Sequence, residues 1–170
     1  MINKSFLSTI DPNNKEQIKE LSFKIINKIK KEGGTVAAAM GLSEEFLEEI
    51  YQLAYTYYNQ GKNKEAISLF YVLMGVSPKN FKYVLGLAAA YYQLEDYYHA
   101  ALGFTLAFSL DPKNPLSAYY ASDSLLKLNQ VKEALEVLDK AIDLCGSRIE
   151  HAELKERCVL IRKSFEDKQS

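Results

Sequence analysis

The chain has 170 residues and a mass of 19.3 kDa, enough for one domain with a sizeable core. Hydrophobic residues make up 48% and charged residues 25%, a globular rather than disordered composition. Net charge is −1 with pI near 6.2, so no basic excess is present to neutralise phosphates and nucleic acid is not an expected partner. Residues 1–14 are polar and read as a flexible lead-in that ends at a helix start after Asp11-Pro12. They lack the basic flank and apolar run of a signal peptide, and no apolar stretch approaches the roughly 18 residues that span a bilayer. A soluble, cytoplasmic protein without membrane insertion is expected.

Residues 15–42 read as an N-terminal helix and a hinge. Ile18, Leu21, Ile25 and Ile29 recur at helical spacing, and Lys28, Lys30 and Lys31 suit the negative end of the helix dipole. Gly33-Gly34 then breaks the helix. No GK[ST] follows, so the glycines are a hinge rather than a phosphate loop. Thr35–Met40 suits a short helical turn closed by Gly41, and Ser43 suits an N-cap, with Glu44 and Glu45 in the first turn behind it.

From residue 43 to 146 the chain repeats itself. Pro78-Lys79-Asn80 returns as Pro112-Lys113-Asn114, 34 residues on. On the same offset Tyr57 falls on Tyr91, Ala66 on Ala100, and Phe70 on Phe104; a further step reaches Leu125, Ala134 and Leu138. Numbering each repeat from Leu47, Phe81 and Pro115, its first helix carries a core stripe at positions 4, 7, 8 and 11. These are Ile50, Leu53, Ala54 and Tyr57, then Val84, Leu87, Ala88 and Tyr91. Alanine at position 20 lets paired helices cross closely, and a bulky residue at position 24 fills the space beside it. Pro78 and Pro112 end the preceding helices, Asn80 and Asn114 suit N-caps, and Pro115 suits a first turn. A last helix near 148–167 presents Leu154, Cys158, Ile161 and Phe165 on one face and closes the array within residues 147–170.

A period of about 34 residues with these small and bulky positions resembles the tetratricopeptide repeat family. The resemblance implies an all-α fold of three helix–turn–helix repeats in a curved solenoid. Two departures stand out: position 4 lacks tryptophan (Ile50, Val84, Ala118), and the third repeat has Ala121-Ser122 and Gly146 where Leu-Gly and Pro are usual. In such solenoids the first helix of each repeat lines the concave side. The positions outside the packing stripe carry Tyr51, Tyr55 and Tyr58, then Leu85, Ala89 and Tyr92, then Tyr119 and Leu126, beside polar neighbours such as Lys82, Gln93 and Asp123. A tyrosine series on a solvated face suits a binding groove, because the ring offers apolar area and a hydrogen-bonding tip. The alternative is that some of these rings pack under the N-terminal helix or into a dimer contact.

Gly33-Gly34-Thr35, Leu47-Glu48-Glu49-Ile50-Tyr51-Gln52-Leu53-Ala54-Tyr55, Tyr58-Asn59-Gln60-Gly61-Lys62 and Leu85-Gly86-Leu87-Ala88-Ala89 are similar to the class II chaperones of bacterial type III secretion. That resemblance implies a bacterial cytoplasmic, non-enzymatic chaperone. Its concave groove would hold a proline- and leucine-containing segment of a secreted translocator, and its N-terminal helix would mediate homodimerisation. Two other readings stay open: an adaptor in a secretion or other assembly, which would use the same groove, and a carboxylate-clamp co-chaperone. The second needs lysine and asparagine where the chain has Tyr51, Tyr55, Leu85 and Ala89. Catalysis would require a convergent nucleophile, base or metal set, and His99 and His151 are dispersed. His151 and Cys158 could share a helix face, but two ligands make no zinc site, so no metal or other cofactor is expected. Cys145 and Cys158 read as buried small hydrophobes.

Overall fold

The structure, a computed structural model, describes residues 14–166, and every element among them is helical. The expected lead-in lies outside the described residues except for Asn14, whose side chain accepts from Glu16 and Gln17 N–H and so caps α1 (Lys15–Glu32). Gly33 and Gly34, at φ 74° and 93°, turn the chain into the short α2 (Val36–Met40), capped by Thr35. Three helix pairs follow: α3 (Glu44–Asn59) with α4 (Asn63–Val76), α5 (Phe81–Gln93) with α6 (Tyr97–Leu110), and α7 (Pro115–Lys127) with α8 (Val131–Cys145). A single 3-10 turn (Ile149–His151) leads into α9 (Ala152–Glu166).

The caps sit where the sequence places them. Ser43 accepts from Phe46 N–H, Asn80 from Lys82 N–H and Asn114 from Ser117 N–H, so each repeat's first helix starts with one orphan donor satisfied. Each helix from α3 to α8 packs on the next in the chain, and α9 packs on α8. The repeat register sets the core. Ala66, Ala100 and Ala134 are fully buried, and Phe70, Phe104 and Leu138 fill the space beside them. Helices α5 and α6 approach closely at Gly103, where an added Cβ would stand 2.7 Å from Ala88 Cβ. In the degenerate third repeat, Ser122 takes the small position. Its buried hydroxyl donates to the Ala134 carbonyl across the α7–α8 crossing at 2.8 Å, which satisfies the polar atom there.

The turn inside each repeat is left-handed at the same place. Gly61, Glu95 and Asn129 have φ of 72°, 61° and 61°. One geometry is thus built from three residue types, of which glycine alone adopts it without steric cost.

One position of the expected core stripe differs from the sequence reading. Leu53, expected in the buried stripe, is 46% exposed, whereas its counterpart Leu87 is 6% exposed. Leu87 is covered by the preceding repeat, but among the described residues nothing occupies that place ahead of repeat one. The N-terminal helix α1 instead packs on α2, with Lys28 donating to the Ala39 carbonyl, and leaves Phe23 and Ile26 exposed. Near the other end, Leu154, Cys158 and Ile161 of α9 do pack against α7 and α8.

Candidate functional site: an aromatic hollow on the first-helix face

The α3, α5 and α7 helices line one side of the array, and between them lies a hollow of about 500 Å³. One wall is α3: Tyr51, Tyr55 and Tyr58 stand one above another at helical spacing. Tyr51 stacks on Tyr55 with centroids 6.3 Å apart, and Tyr55 on Tyr58 at 6.0 Å, so the rings form a continuous ladder. Burial raises the Tyr51 phenol, with the Glu48 carboxylate adding to it. Burial also raises Tyr58, partly offset by its bond to the Gln93 side chain. The Tyr51 and Tyr58 hydroxyls therefore stay protonated at neutral pH.

The opposite wall is α5, with Leu85, Gly86, Ala89 and Tyr92. Small residues at 86 and 89 keep this wall low. Gly86 is required by its neighbour: a Cβ there would fall 2.5 Å from the Phe70 ring. Phe70 and Phe104, the bulky core residues of repeats one and two, come up between the helices and form the floor. Tyr92 is the rigid end of this wall. Its hydroxyl donates to the Asp123 carboxylate, and its ring meets Tyr97, Phe104 and Tyr120 edge-on. Burial first, then the Asp123 bond, holds its phenol well above the usual range. Leu116 and Tyr120 of α7 close the far side, while Lys82 lies over the Tyr51 ring at 5.7 Å to its centroid. The lining is thus mostly apolar, with a few convergent polar tips, as in sites that take an extended apolar chain.

Of the eight residues singled out from the sequence, six line the hollow: Tyr51, Tyr55, Tyr58, Leu85, Ala89 and Tyr92. Tyr119 does not. It is 7% exposed and packs in the α7–α8–α9 core, with the Arg157 guanidinium 6.0 Å from its ring centroid. It holds the position that Tyr51 and Leu85 hold in the earlier repeats, but here α9 covers the position. Leu126 is also absent from the lining; it is half-buried near the end of α7. Four lining residues escape the sequence reading: Phe70, Gly86, Phe104 and Tyr120. The first and third look like pure core fillers at position 24. Position 6, which supplies Gly86 and Tyr120, faces solvent in repeat one as Gln52. Among the described residues no three His, Cys, Asp or Glu side chains gather as a metal-ligand set, and no helix is long and apolar enough to cross a membrane.

Comparison with known proteins places this geometry. The tetratricopeptide repeat family matches residues 47–80, and the family described as anaphase-promoting complex, cyclosome, subunit 3 matches residues 69–141. The low calcium response locus protein H of Yersinia pestis is 30% identical over 127 residues, covering 75% of this chain and 76% of that protein. The Yersinia enterocolitica type III secretion chaperone SycD, in complex with a peptide of the translocator YopD, superposes with a TM-score of 0.73. It is 26% identical, over 76% of this chain and 98% of that one. The same chaperone described as an alternative dimer gives a TM-score of 0.71 at 26% identity and the same coverage. The chain belongs to the family of tetratricopeptide-repeat chaperones of type III secretion translocators.

Proposed function

We propose that this protein is a non-enzymatic chaperone of the bacterial cytoplasm that holds a secreted translocator in the α3–α5–α7 hollow until export. The observation that carries the reading is the lining itself: a ladder of three tyrosines facing a low wall of Leu85, Gly86 and Ala89 over a two-phenylalanine floor. An extended segment bearing proline and leucine side chains fits such a surface. Its apolar groups fill the space over Gly86 and Ala89, and hydroxyls of the tyrosine ladder donate to its backbone carbonyls. The peptide complex of the similar Yersinia chaperone supports the same occupant. Tyr51, Tyr55, Tyr58, Leu85, Ala89 and Tyr92 are the proposed contacts. Tyr119 and Leu126 are not among them.

The exposed apolar side chains of α1, Phe23 and Ile26, suit a second copy of the chain, in line with the dimer described for the Yersinia chaperone. Co-expression in the source bacterium followed by mass spectrometry of the co-purified protein tests the function. A secreted, membrane-active partner supports the chaperone reading. Stable capture of secretion machinery with no secreted protein would replace it with the adaptor reading.

A further inference from the structure

Beyond the hollow already described, a second one lies between α9 and the last repeat. Tyr92 lines both. The second hollow has Tyr92 and Tyr119 on one side and Glu153, Glu156, Arg157 and Leu160 of α9 on the other. Helix α9 already spends one face, Leu154, Cys158 and Ile161, on α7 and α8. Leu160 does not join that core: it is 61% exposed and borders this second hollow. Arg157 is committed to Tyr119, whose hydroxyl it bonds and whose ring it covers. Glu153 and Glu156, by contrast, have no ion-pair partner among the described residues. Asp123, behind the Tyr92 hydroxyl, adds negative charge from α7. An apolar step edged by unpaired carboxylates thus continues the aromatic hollow.

We propose that the bound chain runs on past Tyr92 onto α9, where it seats one apolar side chain against Leu160 and one or two lysines or arginines against Glu153 and Glu156. This rests on the groove reading above and adds the length and charge of the occupant. The capping helix is then part of the binding surface as well as the lid of the core. The occupant is the same segment, because Tyr92 lines both hollows and the free charge of the second is of one sign. Exposed pairs of this kind contribute modestly and are screened by salt, so the apolar contact and the ionic contact separate experimentally.

The test uses synthetic peptides and the full chain. A fluorescent core of roughly eight extended residues with proline and leucine is compared with the same core lengthened at either end by one leucine and two lysines. One lengthened form is expected to bind roughly five- to tenfold tighter than the core. That gain should shrink at high salt and vanish in the Glu153→Lys, Glu156→Lys double variant, whose affinity for the core alone stays unchanged. Leu160→Ser should remove the salt-independent part. If the core binds and neither lengthened form gains, the extension onto α9 is wrong while the groove stands. If no peptide binds, the groove reading fails and takes this inference with it.

Discussion

The left-handed turn shared by the three repeats gives a test in which backbone conformation is isolated from packing. Gly61 and Gly75 are both exposed, and a Cβ added at either would meet nothing within 4 Å. They differ in one respect: Gly61 has φ 72° and ends the α3–α4 turn, whereas Gly75 lies within α4. Alanine at 61 must adopt the left-handed region, which costs about 1–2 kcal/mol. Restricting the unfolded chain returns about 0.4–1 kcal/mol. The net expectation for Gly61→Ala is a loss of roughly 1 kcal/mol. For Gly75→Ala the backbone is already helical, and the same substitution gains roughly 0.5–1 kcal/mol. Glu95 supplies the converse, because it holds φ 61° without being glycine, so Glu95→Gly gains a few tenths to about 1 kcal/mol. Urea unfolding followed by helix ellipticity measures all three. In a chain of this size each kcal/mol moves the melting temperature by about 2–4 °C. If both alanine variants shift stability in the same direction, the turn geometry assigned to position 61 is wrong.

Three further outcomes follow from the packing and the titrating groups. Gly103→Ala places its Cβ 2.7 Å from Ala88 Cβ and 3.1 Å from Ala88 Cα, so the α5 and α6 backbones must part. The overpacking cost of about 1–3 kcal/mol exceeds the helix-propensity gain of about 1 kcal/mol, and thermal melting should show net destabilisation. Burial pushes the Cys158 thiol up to about 11, and burial with the Tyr71 hydrogen bond pushes Tyr91 up to about 12. Both groups ionise more readily unfolded, so stability is complete below about pH 9 and falls as pH rises toward 12; melting temperatures across that window check this. The same burial makes Cys145 and Cys158 slow to react with thiol reagents in the native protein and fast in urea.

Much of this architecture was legible because tetratricopeptide packing is short-range. A helix pair and its neighbour fix Ala66, Phe70, Ala100 and Phe104 within one period, and the Asn80 and Asn114 caps are local by nature. What escaped depends on segments far apart in the chain. Tyr119 reads as a groove ring by its repeat position, yet α9 returns from some 35 residues later to cover it. Leu53 reads as core by the same logic, but α1 docks on α2 instead of filling the place of an earlier repeat. The groove floor was hidden for another reason. Phe70 and Phe104 serve the core and the hollow with the same ring, and a periodicity argument assigns each residue one side only. The common turn at Gly61, Glu95 and Asn129 was masked because three side chains share one backbone geometry.

The central claim is that the first-helix hollow, rather than the exposed apolar stripe of α6, holds the partner. Helix α6 offers the natural comparison, since Tyr98, Leu102 and Leu106 form an exposed apolar stripe outside that hollow. Ala89→Glu puts a carboxylate into the hollow wall, and Leu102→Glu puts one on the stripe; both residues lie in helices that accept glutamate. Affinity for the co-purified translocator, measured by calorimetry on variants of unchanged helicity, decides the matter. The account predicts that Ala89→Glu costs at least tenfold in affinity, about 1.4 kcal/mol or more, while Leu102→Glu binds like the unaltered protein. Binding that survives Ala89→Glu and is lost in Leu102→Glu would contradict it.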